Sequence, residues 1–415
     1  MLRNYLVTAW KVFMRRKLFT TINLLCIVLT LVVLMVVTSL LETAFRPSGV
    51  EGRSERFLQI VMMRMDSPDG SSVSTTPLGY KLIDKFLKPM PGVERVAAAT
   101  LPSGAAVYQG ERVSEMQMRR VDADYWKILD FRLLAGRLPT AADDAAGRMI
   151  AILNAATAKR LFPGAPAAAV GQHIDINGQN FEVAGVVEDA MHVNAFADVW
   201  APISTFASSD YRNQLTGMFT TLILAESSAD LPRIRRQVEA IAREVVHEDP
   251  KKWKTTRFWA DSKLDLFARL TVGNDDTIDS GAGKLLAMIV AAMLVFMLLP
   301  ALNLVNLNTG RIMDRRVEIG VRKAFGATSA QLAIQLVVEN VLLCLAGGLI
   351  ALAATAGLLA WLEHIQLIDY MRYDLNLAVF GWGMLIATVF GLLSGVLPAW
   401  KMSRLDPVHA LKGAL

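Results

Sequence analysis

The chain has 415 residues, 53% of them hydrophobic, and a mean hydropathy of +0.37. This composition indicates a membrane protein, and the net charge of +5 does not indicate a nucleic-acid partner, because the basic residues concentrate beside apolar runs. Cys26 and Cys344 both lie inside apolar runs. The more polar part of the chain must therefore be stable without disulfides.

The beginning of the chain predicts an amphipathic helix over 1–17. Leu2, Leu6, Trp10 and Phe13 recur at three- and four-residue spacing opposite basic side chains. This pattern is typical of a helix that lies in the interface between membrane and cytoplasm and contacts the lipids. A disordered basic leader is the alternative interpretation of the same residues.

Four apolar runs are long enough to cross a bilayer, whose hydrocarbon core needs about 20 apolar residues. The first run carries no charge and reaches about 36 Å as a helix. It is too long for the apolar part of a signal peptide, so we expect it to remain in the chain. The transmembrane helices are predicted at 18–41 (TM1), 284–309 (TM2), 331–360 (TM3) and 377–400 (TM4).

The distribution of Lys and Arg orients these helices. Basic residues accumulate in 1–17, in the loop 310–330 and in the tail 401–415, whereas the short loop 361–376 contains one Arg and three acids. Lys and Arg are enriched on the cytoplasmic side of membranes. Both termini and the loop 310–330 are therefore predicted to be cytoplasmic, with the short loop and 42–283 outside.

The outer segment 42–283 mixes strand and helix patterns. A strand is predicted at 57–63, and an amphipathic helix at 230–247 follows another strand. Asn177-Gly178 stands between alternating residues and predicts a type I′ hairpin, in which both turn residues take positive φ. The predicted fold class is an α-helical membrane protein with four transmembrane helices and a large α+β domain between helices 1 and 2.

Three kinds of region are expected within the outer domain. The strand and helix near its end suggest a βαβ-like porter unit, with porter-like parts at about 50–120 and 205–260. The middle, about 120–204, is predicted to be a β-rich insertion. The polar, Gly-rich residues 262–283 are predicted to form a stalk or hinge that joins the domain to the membrane.

Catalytic and metal-binding patterns do not emerge from the sequence. The five histidines lack metal-ligand spacing, and no G-x-S-x-G elbow occurs. The sequence GAGK at 281–284 lacks the first Gly and the final Ser or Thr of a phosphate-binding loop. The acidic pairs Asp143-Asp144 and Asp275-Asp276 are interpreted as solvated turns rather than acid-base groups. We therefore expect no enzyme activity, cofactor or metal in this chain.

Small residues recur at every fourth position of TM4, at Gly383, Ala387, Gly391 and Gly395. Such a stripe allows another helix to approach closely, and we expect TM3 and TM4 to pack on each other. TM3 also contains Glu339, an ionisable residue inside an apolar run. Its role can be transport, or pairing with a group on another helix.

The loop between TM2 and TM3 carries the charged segment RIMDRRVEIGVRKAFGAT at 311–328. A simple topogenic charge cluster would explain its five basic residues and two acids. The apolar-polar alternation, with Gly320 and Gly326 at its turns, further predicts a short helix that can lie in the groove of another protein.

The chain resembles the MacB/FtsX-type permeases of ATP-binding cassette (ABC) transporters, also called type VII or mechanotransmission ABC proteins. Residues 303–316 and 318–328 are similar to the family's cytoplasmic signature, and PAWKMSRLDPVHALK at 398–412 is similar to its C-terminal pattern. Residues 121–137 and 155–187 resemble the family's MacB-like periplasmic core domain. Unlike some members, this sequence shows no fused ATPase, and its leader VFMRRK is looser than the usual one.

The resemblance implies a dimer of permease chains, identical or paralogous, each docked on a separate cytoplasmic ATPase subunit that holds ATP and Mg²⁺. The loop 310–330 would contain the coupling helix that enters the ATPase groove. The implied roles are polar contact for Glu318, Arg322 and Lys323, apolar anchoring for Val321 and Phe325, and close approach for Gly320 and Gly326.

The resemblance also implies a protein of the bacterial inner membrane with 42–283 in the periplasm. ATP binding would close the stalks and move the periplasmic domains, without passage of substrate between the transmembrane helices. The favoured function is export of a peptide, antibiotic or similar molecule with a periplasmic adaptor and an outer-membrane channel. The alternatives are release of lipoproteins from the inner membrane, activation of a cell-wall hydrolase, and simple anchoring of a binding domain.

Overall fold

The chain folds into two compact units. The helical unit consists of 1–44, 286–367 and 372–415, and the sheet unit consists of 45–285 and 368–371. The computed structural model describes residues 11, 13–15, 17–109, 112–247, 249–273, 277–314, 321, 325–326, 328–365 and 375–403. Most of the helix predicted at 1–17 and most of the tail predicted at 401–415 therefore lie outside the described residues; residues 11, 13–15 and 17 are described and are helical.

Long helices are confined to the two ends of the chain, and short helices lie between them. The α-helices in the described residues are α1 (Lys17–Phe45), α2 (Tyr80–Leu82, continued by a π-helical turn at Ile83–Leu87), α3 (Tyr125–Ile128), α4 (Ala141–Ala145), α5 (Ala155–Leu161), α6 (Leu231–Glu244), α7 (Lys263–Val272), α8 (Ala282–Asp314), α9 (Ser329–His364) and α10 (Leu377–Ser403).

The strands all belong to the sheet unit. They are β1 (Phe57–Ile60), β2 (Met63–Asp66), β3 (Val73–Thr76), β4 (Val93–Thr100), β5 (Ser103–Gln109), β6 (Arg112–Val121), β7 (Leu133–Gly136), β8 (Ile150–Asn154), β9 (His173–Ile176), β10 (Gln179–Val187), β11 (Val199–Pro202), β12 (Phe219–Ala225) and β13 (Thr255–Phe258).

Two helices of the described residues are long and apolar enough to cross a membrane, Thr20–Phe45 and Val337–His364. The described apolar parts of α8 and α10 are shorter, at Ala282–Leu298 and Leu377–Val389. The structure therefore supports two membrane helices, and the count of four stays a prediction.

Helices α1 and α9 pack side by side in the same direction. Gly347 of α9 faces Ile27 of α1, and an added Cβ on Gly347 would lie 2.7 Å from Ile27 Cγ2. Two turns further along, Thr355 Oγ1 lies 3.7 Å from Met35 Sδ. Both helices advance by the same number of residues between these contacts, so they are parallel and in register.

Helix α10 runs antiparallel to α9. Gly348 of α9 faces Met384 of α10, and Cys344 Sγ lies 3.5 Å from the Ala387 backbone oxygen, to which it donates. The residue numbers of the contacts thus increase along α10 as they decrease along α9. The beginnings of α1 and α9 and the end of α10 therefore lie at one end of the helical unit.

The sheet unit is built on a ten-stranded sheet with the order β1-β12-β4-β6-β11-β8-β10-β9-β5, to which β7 is added beside β10. β13, β2 and β3 form a second, antiparallel sheet. β4 and β6 pair through Ala99 and Val121. β5 and β6, from the first predicted porter-like part, pair with β9 and β11 of the predicted β-rich insertion. The predicted regions thus contribute to one sheet, and the region boundaries stay predictions.

Strand β4 is buried on both faces, because neighbouring residues alternate between two apolar cores. Val96 and Ala98 belong to the core that contains α6 and the second sheet, whereas Ala97 and Ala99 belong to the core around Trp200. Successive side chains of a strand point to opposite faces. Burial on both faces explains why the strand sequence VERVAAAT ends in an apolar run without polar alternation.

The hairpin predicted at Asn177-Gly178 is confirmed. β9 and β10 pair antiparallel on either side of the turn. The backbone angle φ is +51° at Asn177 and +81° at Gly178, as a type I′ turn requires. The turn chemistry of two residues was therefore sufficient to place this pair of strands.

The prediction of one strand at 57–63 is wrong. The segment divides into β1, which pairs with β12, and β2, which pairs with β3 and β13 in the other sheet. A continuous apolar run does not reveal where the chain passes from one sheet to another, because both strands are buried and their residue types are the same.

Asp143 is buried, which contradicts the interpretation of Asp143-Asp144 as a solvated turn. Its side chain is 2% exposed at the beginning of α4, where it forms a capping box with Thr140. Arg137 donates two hydrogen bonds to it at 2.6 and 2.9 Å, and Arg148 donates one at 3.1 Å. The hydrogen bonds from Arg137, stronger than the effect of burial, hold the pKa of Asp143 far below its usual range.

A buried ion pair joins the beginning and the end of the sheet unit. Glu51, shortly after α1, is 1% exposed, and its Oε2 accepts from Lys263 Nζ of α7 at 2.6 Å. Asn194 donates to Glu51 Oε1 through both its backbone and its side chain. Nearby, the rings of Phe45 and Phe267 meet edge to face with centroids 5.5 Å apart. The segment after α1 and the helix before α8 are therefore held together.

Further ionic contacts fix α7 in place. Arg269 is 6% exposed and binds Asp261 through two hydrogen bonds of 2.8 and 3.0 Å. Ser262 caps α7 in a capping box with Asp265, which also accepts from Ser280 at 2.6 Å. Burial raises the pKa of Asp265, but its hydrogen bonds outweigh burial and lower the pKa to about 2. The polar stretch predicted as a stalk thus begins with an ordered helix.

We predict that Glu51→Gln lowers the free energy of unfolding by about 3 kcal/mol, because Lys263 is left largely buried without its carboxylate partner. Thermal unfolding of the purified chain in detergent measures the change. Asp130→Asn is the control, since the Arg53–Asp130 pair is exposed and such pairs contribute about 0–1 kcal/mol. Equal shifts in melting temperature for the two variants would contradict the structural role of the Glu51–Lys263 pair.

Candidate coupling site

A hydrogen bond of the α-helical type joins Val321 and Phe325, just before Gly326. The Phe325 amide donates to the Val321 carbonyl oxygen at 3.1 Å, which is the i to i−4 hydrogen bond of an α-helix. Gly326 follows with a φ of +93°, a conformation that side chains with a Cβ rarely adopt. Glycine at this position commonly ends a helix. The turn therefore stops where the sequence supplies a glycine.

The apolar side chains of this turn are exposed to solvent. Phe325 is 88% exposed and Val321 is 42% exposed. Residues four apart lie on the same face of a helix, so the two form one apolar surface, which we call the 321/325 pair. A phenylalanine ring with this exposure adds little to the packing of its own chain. It is available to contact another molecule.

Helix α9 begins directly after the 321/325 pair. Thr328 Oγ1 accepts from the Gln331 amide at 3.3 Å, and Gln331 Oε1 accepts from the Thr328 amide at 3.0 Å. This reciprocal capping box fixes where the helix starts. The spacing T-x-x-Q in the sequence is a signal for this helix start, and the predictions for the loop did not include it.

The remaining residues predicted for coupling, Glu318, Gly320, Arg322 and Lys323, lie outside the described residues. Val321, Phe325 and Gly326 lie together in the turn described above. Their role in coupling stays a prediction, because no partner chain is present in the structure.

The small-residue stripe of TM4 contacts two different helices. Gly383 lies against leucine side chains of α1, whose Cδ2 atoms would be 3.2 Å from an added Cβ. Ala387 instead meets α9, through the Cys344 contact at its backbone oxygen. The surroundings of Gly391 and Gly395 lie outside the described residues. The small residues of this stripe thus allow both α1 and α9 to approach α10 closely.

Two candidate membrane helices combined with a large α+β unit indicate a membrane protein that carries a folded domain outside the membrane. Two parts of the chain match known families: residues 20–241 match the MacB-like periplasmic core domain, and residues 290–407 match the FtsX-like permease C-terminal region. The chain belongs to the MacB/FtsX family of ABC transporter permeases.

The similarity to individual proteins covers most of the chain. The uncharacterised ABC transporter permease YknZ of Bacillus subtilis is 26% identical over 79% of this chain and 77% of its own length. The macrolide export ATP-binding/permease protein MacB of Mannheimia succiniciproducens is 21% identical over 77% of this chain, which spans 47% of that protein. The crystal structure of the periplasmic region of MacB from Actinobacillus actinomycetemcomitans is 14% identical, with a TM-score of 0.38 over 55% of this chain and 96% of that one.

Several residues that hold the beginning and the end of the sheet unit together carry no signal in the sequence. Glu51, Lys263 and Asn194 meet in space although more than 60 residues separate any two of them along the chain. Glu51 lies in a short polar stretch after TM1, and Lys263 opens a short helix. Neither position carries a periodic or motif signal, so only the tertiary contacts identify them.

We predict that Phe325→Ser leaves the thermal stability of the isolated chain unchanged, because the ring is 88% exposed. Ile27→Ala is the matched comparison, since Ile27 is 3% exposed against Gly347 and its truncation costs about 2–4 kcal/mol. Thermal unfolding in detergent measures both variants. A loss of stability for Phe325→Ser as large as that for Ile27→Ala would mean that the ring packs within its own chain.

Proposed function

We propose that the chain is the permease subunit that transmits ATP-driven motion from a separate cytoplasmic ATPase to its sheet unit. Membership in a family of ABC transporter permeases supports this role. The observation that carries the proposal is the 88% exposure of Phe325 in the turn that precedes a capped 36-residue helix. The ATPase binds ATP and Mg²⁺, and this chain contributes a surface that contacts the ATPase rather than catalytic groups.

The proposed membrane arrangement has α1, α8, α9 and α10 as the four transmembrane helices. The directions of α1, α9 and α10 support it, because the two helix beginnings and the α10 end share one end of the helical unit. The basic segments of the sequence adjoin these same points, and basic residues favour the cytoplasm. The 321/325 pair then faces the cytoplasm of a bacterial inner membrane, and the sheet unit lies in the periplasm.

Motion at the coupling turn can reach the sheet unit along two of the covalent connections between the units. One leads from α1 to Glu51, and the other leads from α7 into α8. Because Glu51 and Lys263 form a buried ion pair, the two connections move as one. Two such permease chains, identical or paralogous, would move their sheet units relative to each other when the ATPases close.

We predict that Phe325→Ser weakens binding of the partner ATPase about 30-fold, since central aromatic anchors are worth about 2 kcal/mol or more. Arg322→Glu is expected to abolish the stimulation of ATP hydrolysis as well. The measurements are pull-down and ATPase rate after reconstitution of the co-expressed ATPase and permease in liposomes.

The control for the coupling variants is Met14→Ser, which removes another exposed apolar side chain near the beginning of α1. It should leave both binding and ATP hydrolysis unchanged. Normal pull-down and normal ATPase stimulation for Phe325→Ser and Arg322→Glu, with all chains inserted in the membrane, would disprove the coupling role.

We further propose that the motion drives export of a peptide, antibiotic or similar substrate from the periplasm. The machinery would include a periplasmic adaptor and an outer-membrane channel. One of the relatives is by name a macrolide export protein, which supports export over lipoprotein release or hydrolase activation. The size of the sheet unit, 45–285 with a ten-stranded sheet, provides ample surface for an adaptor.

We predict that deletion of the gene raises sensitivity to a subset of peptides and macrolides, while lipoprotein sorting and cell separation stay normal. Growth inhibition, membrane fractionation and microscopy measure the three outcomes. Complementation with Phe325→Ser should fail, and complementation with Met14→Ser should succeed. Lipoproteins retained in the inner membrane would instead indicate lipoprotein release, and unseparated cells would indicate control of a cell-wall hydrolase.

A further inference from the structure

Arg120 occupies a partly buried position near the end of β6. Residues of β6 alternate between the two faces of the sheet, and Arg120 follows Met116 and Met118 on the face of the third apolar core. Its neighbour Arg119 points to the opposite face and donates to the backbone oxygens of Val193 and Asn194. Two consecutive arginines thus lie on opposite faces of one sheet.

Two neutral side chains hold the Arg120 guanidinium. Nε donates to Thr205 Oγ1 at 3.3 Å, and Nη2 donates to Gln179 Oε1 at 3.3 Å. The acceptors are themselves positioned, because Thr205 Oγ1 donates to the Pro202 carbonyl oxygen at 2.7 Å and Gln179 Nε2 donates to the Thr205 carbonyl oxygen at 3.3 Å. The orientation of the guanidinium is therefore set by three elements: β6, the turn after β11 and the start of β10.

A cluster of aromatic rings lies beside the guanidinium. The Arg120 Cζ lies 4.4 Å from the centroid of the Phe206 ring, within the range of a cation–π interaction. The Phe206 ring contacts Tyr211 and Phe219 at centroid distances of 5.3 and 5.9 Å, and Tyr80 joins the same cluster. Phe206, Tyr211 and Tyr80 are partly buried and pack on a core that contains the fully buried Phe219, so a partly exposed aromatic surface continues from the charged group.

Arg120 lacks a counter-ion among the described residues. Three of its five N–H donors have no acceptor in the described part of the chain, and no carboxylate there pairs with it. Burial lowers the pKa of Arg120, and no opposing charge compensates. Arg269, by contrast, is buried with Asp261. The unpaired nitrogen atoms of Arg120 are not enclosed by the protein, so an anion can reach them from solvent.

We propose that Arg120 and Phe206 form a binding site for the carboxylate of an amphipathic ligand. A planar guanidinium with free N–H groups matches the two oxygens of a carboxylate. The apolar part of the ligand would lie against the partly buried rings of Phe206 and Tyr211. The site is separate from the coupling turn, and ligand binding here requires no ATPase.

The test uses phenylacetate as the probe and phenylacetamide as its uncharged analogue. Saturation-transfer difference NMR with the purified full chain in detergent gives the affinity of each. We expect phenylacetate to bind at least about tenfold more tightly than phenylacetamide, since a hydrogen-bonded charge contributes about 1.5–3 kcal/mol. Phenylphosphonate is the third probe and is expected to bind less tightly than phenylacetate.

Arg120→Gln is expected to remove the preference for phenylacetate, and Phe206→Leu, which keeps the guanidinium, to weaken both probes several-fold. The control variant Arg132→Gln changes an exposed arginine with a 3.8 Å pair to Glu188 and should behave as the unmodified chain. Melting temperatures confirm that each variant is folded.

Equal affinity of the unmodified chain for phenylacetate and phenylacetamide would overturn the proposal. So would a preference for phenylacetate that persists in folded Arg120→Gln, because the charge would then reside elsewhere. Tighter binding of phenylphosphonate than of phenylacetate would refute the assignment to a carboxylate. If the two affinities are equal, the role of Arg120 is only to link β6 to Thr205 and Gln179 through hydrogen bonds.

Discussion

The buried pair of Glu51 and Lys263 ties the beginning of the sheet unit to its end, and the proposed transmission of motion depends on it. The segment after α1 and the segment after α7 are two of the places where the chain passes between the units, and the pair links these two segments. The carboxylate is 1% exposed, so separating the pair would leave a charge in a poorly hydrated place. Asn194 adds two hydrogen bonds from a distant loop. These contacts therefore hold the beginning and the end of the sheet unit together.

The sheet unit is stiff for a different reason. Its central strands are buried on both faces, so each strand packs against two apolar cores at once, and interiors of this kind pack densely and deform little. The pairing through Ala99 and Val121 is the narrow point between the two groups of strands. The Arg120 cluster lies on the β6 side of that point and also holds the turn after β11. A ligand there would contact strands and turns that are far apart in the sequence.

Turn chemistry and periodicity predicted local structure well, and they failed where contacts are long-range. Asn177-Gly178 predicted its hairpin because two residues that tolerate positive φ determine the turn by themselves. The apolar run at 57–63 was misread, since residue type does not record which sheet a strand joins. Asp143 was misread because its partners, Arg137 and Arg148, bury it through a fold that a pair of acids in a polar stretch does not reveal.

The amino-acid sequence by itself determined the long apolar helices, the basic segments beside them, the family signature and the glycine that ends the turn after Phe325. These are local properties, since hydropathy, charge and backbone freedom belong to single residues or short runs. Only the tertiary structure decided that Phe325 is exposed while Ile27 is buried, and that Glu51 meets Lys263. It also decided that Arg120 lacks a carboxylate partner among the described residues. Burial and pairing depend on which distant segments the fold brings together, and no short stretch of sequence contains that information.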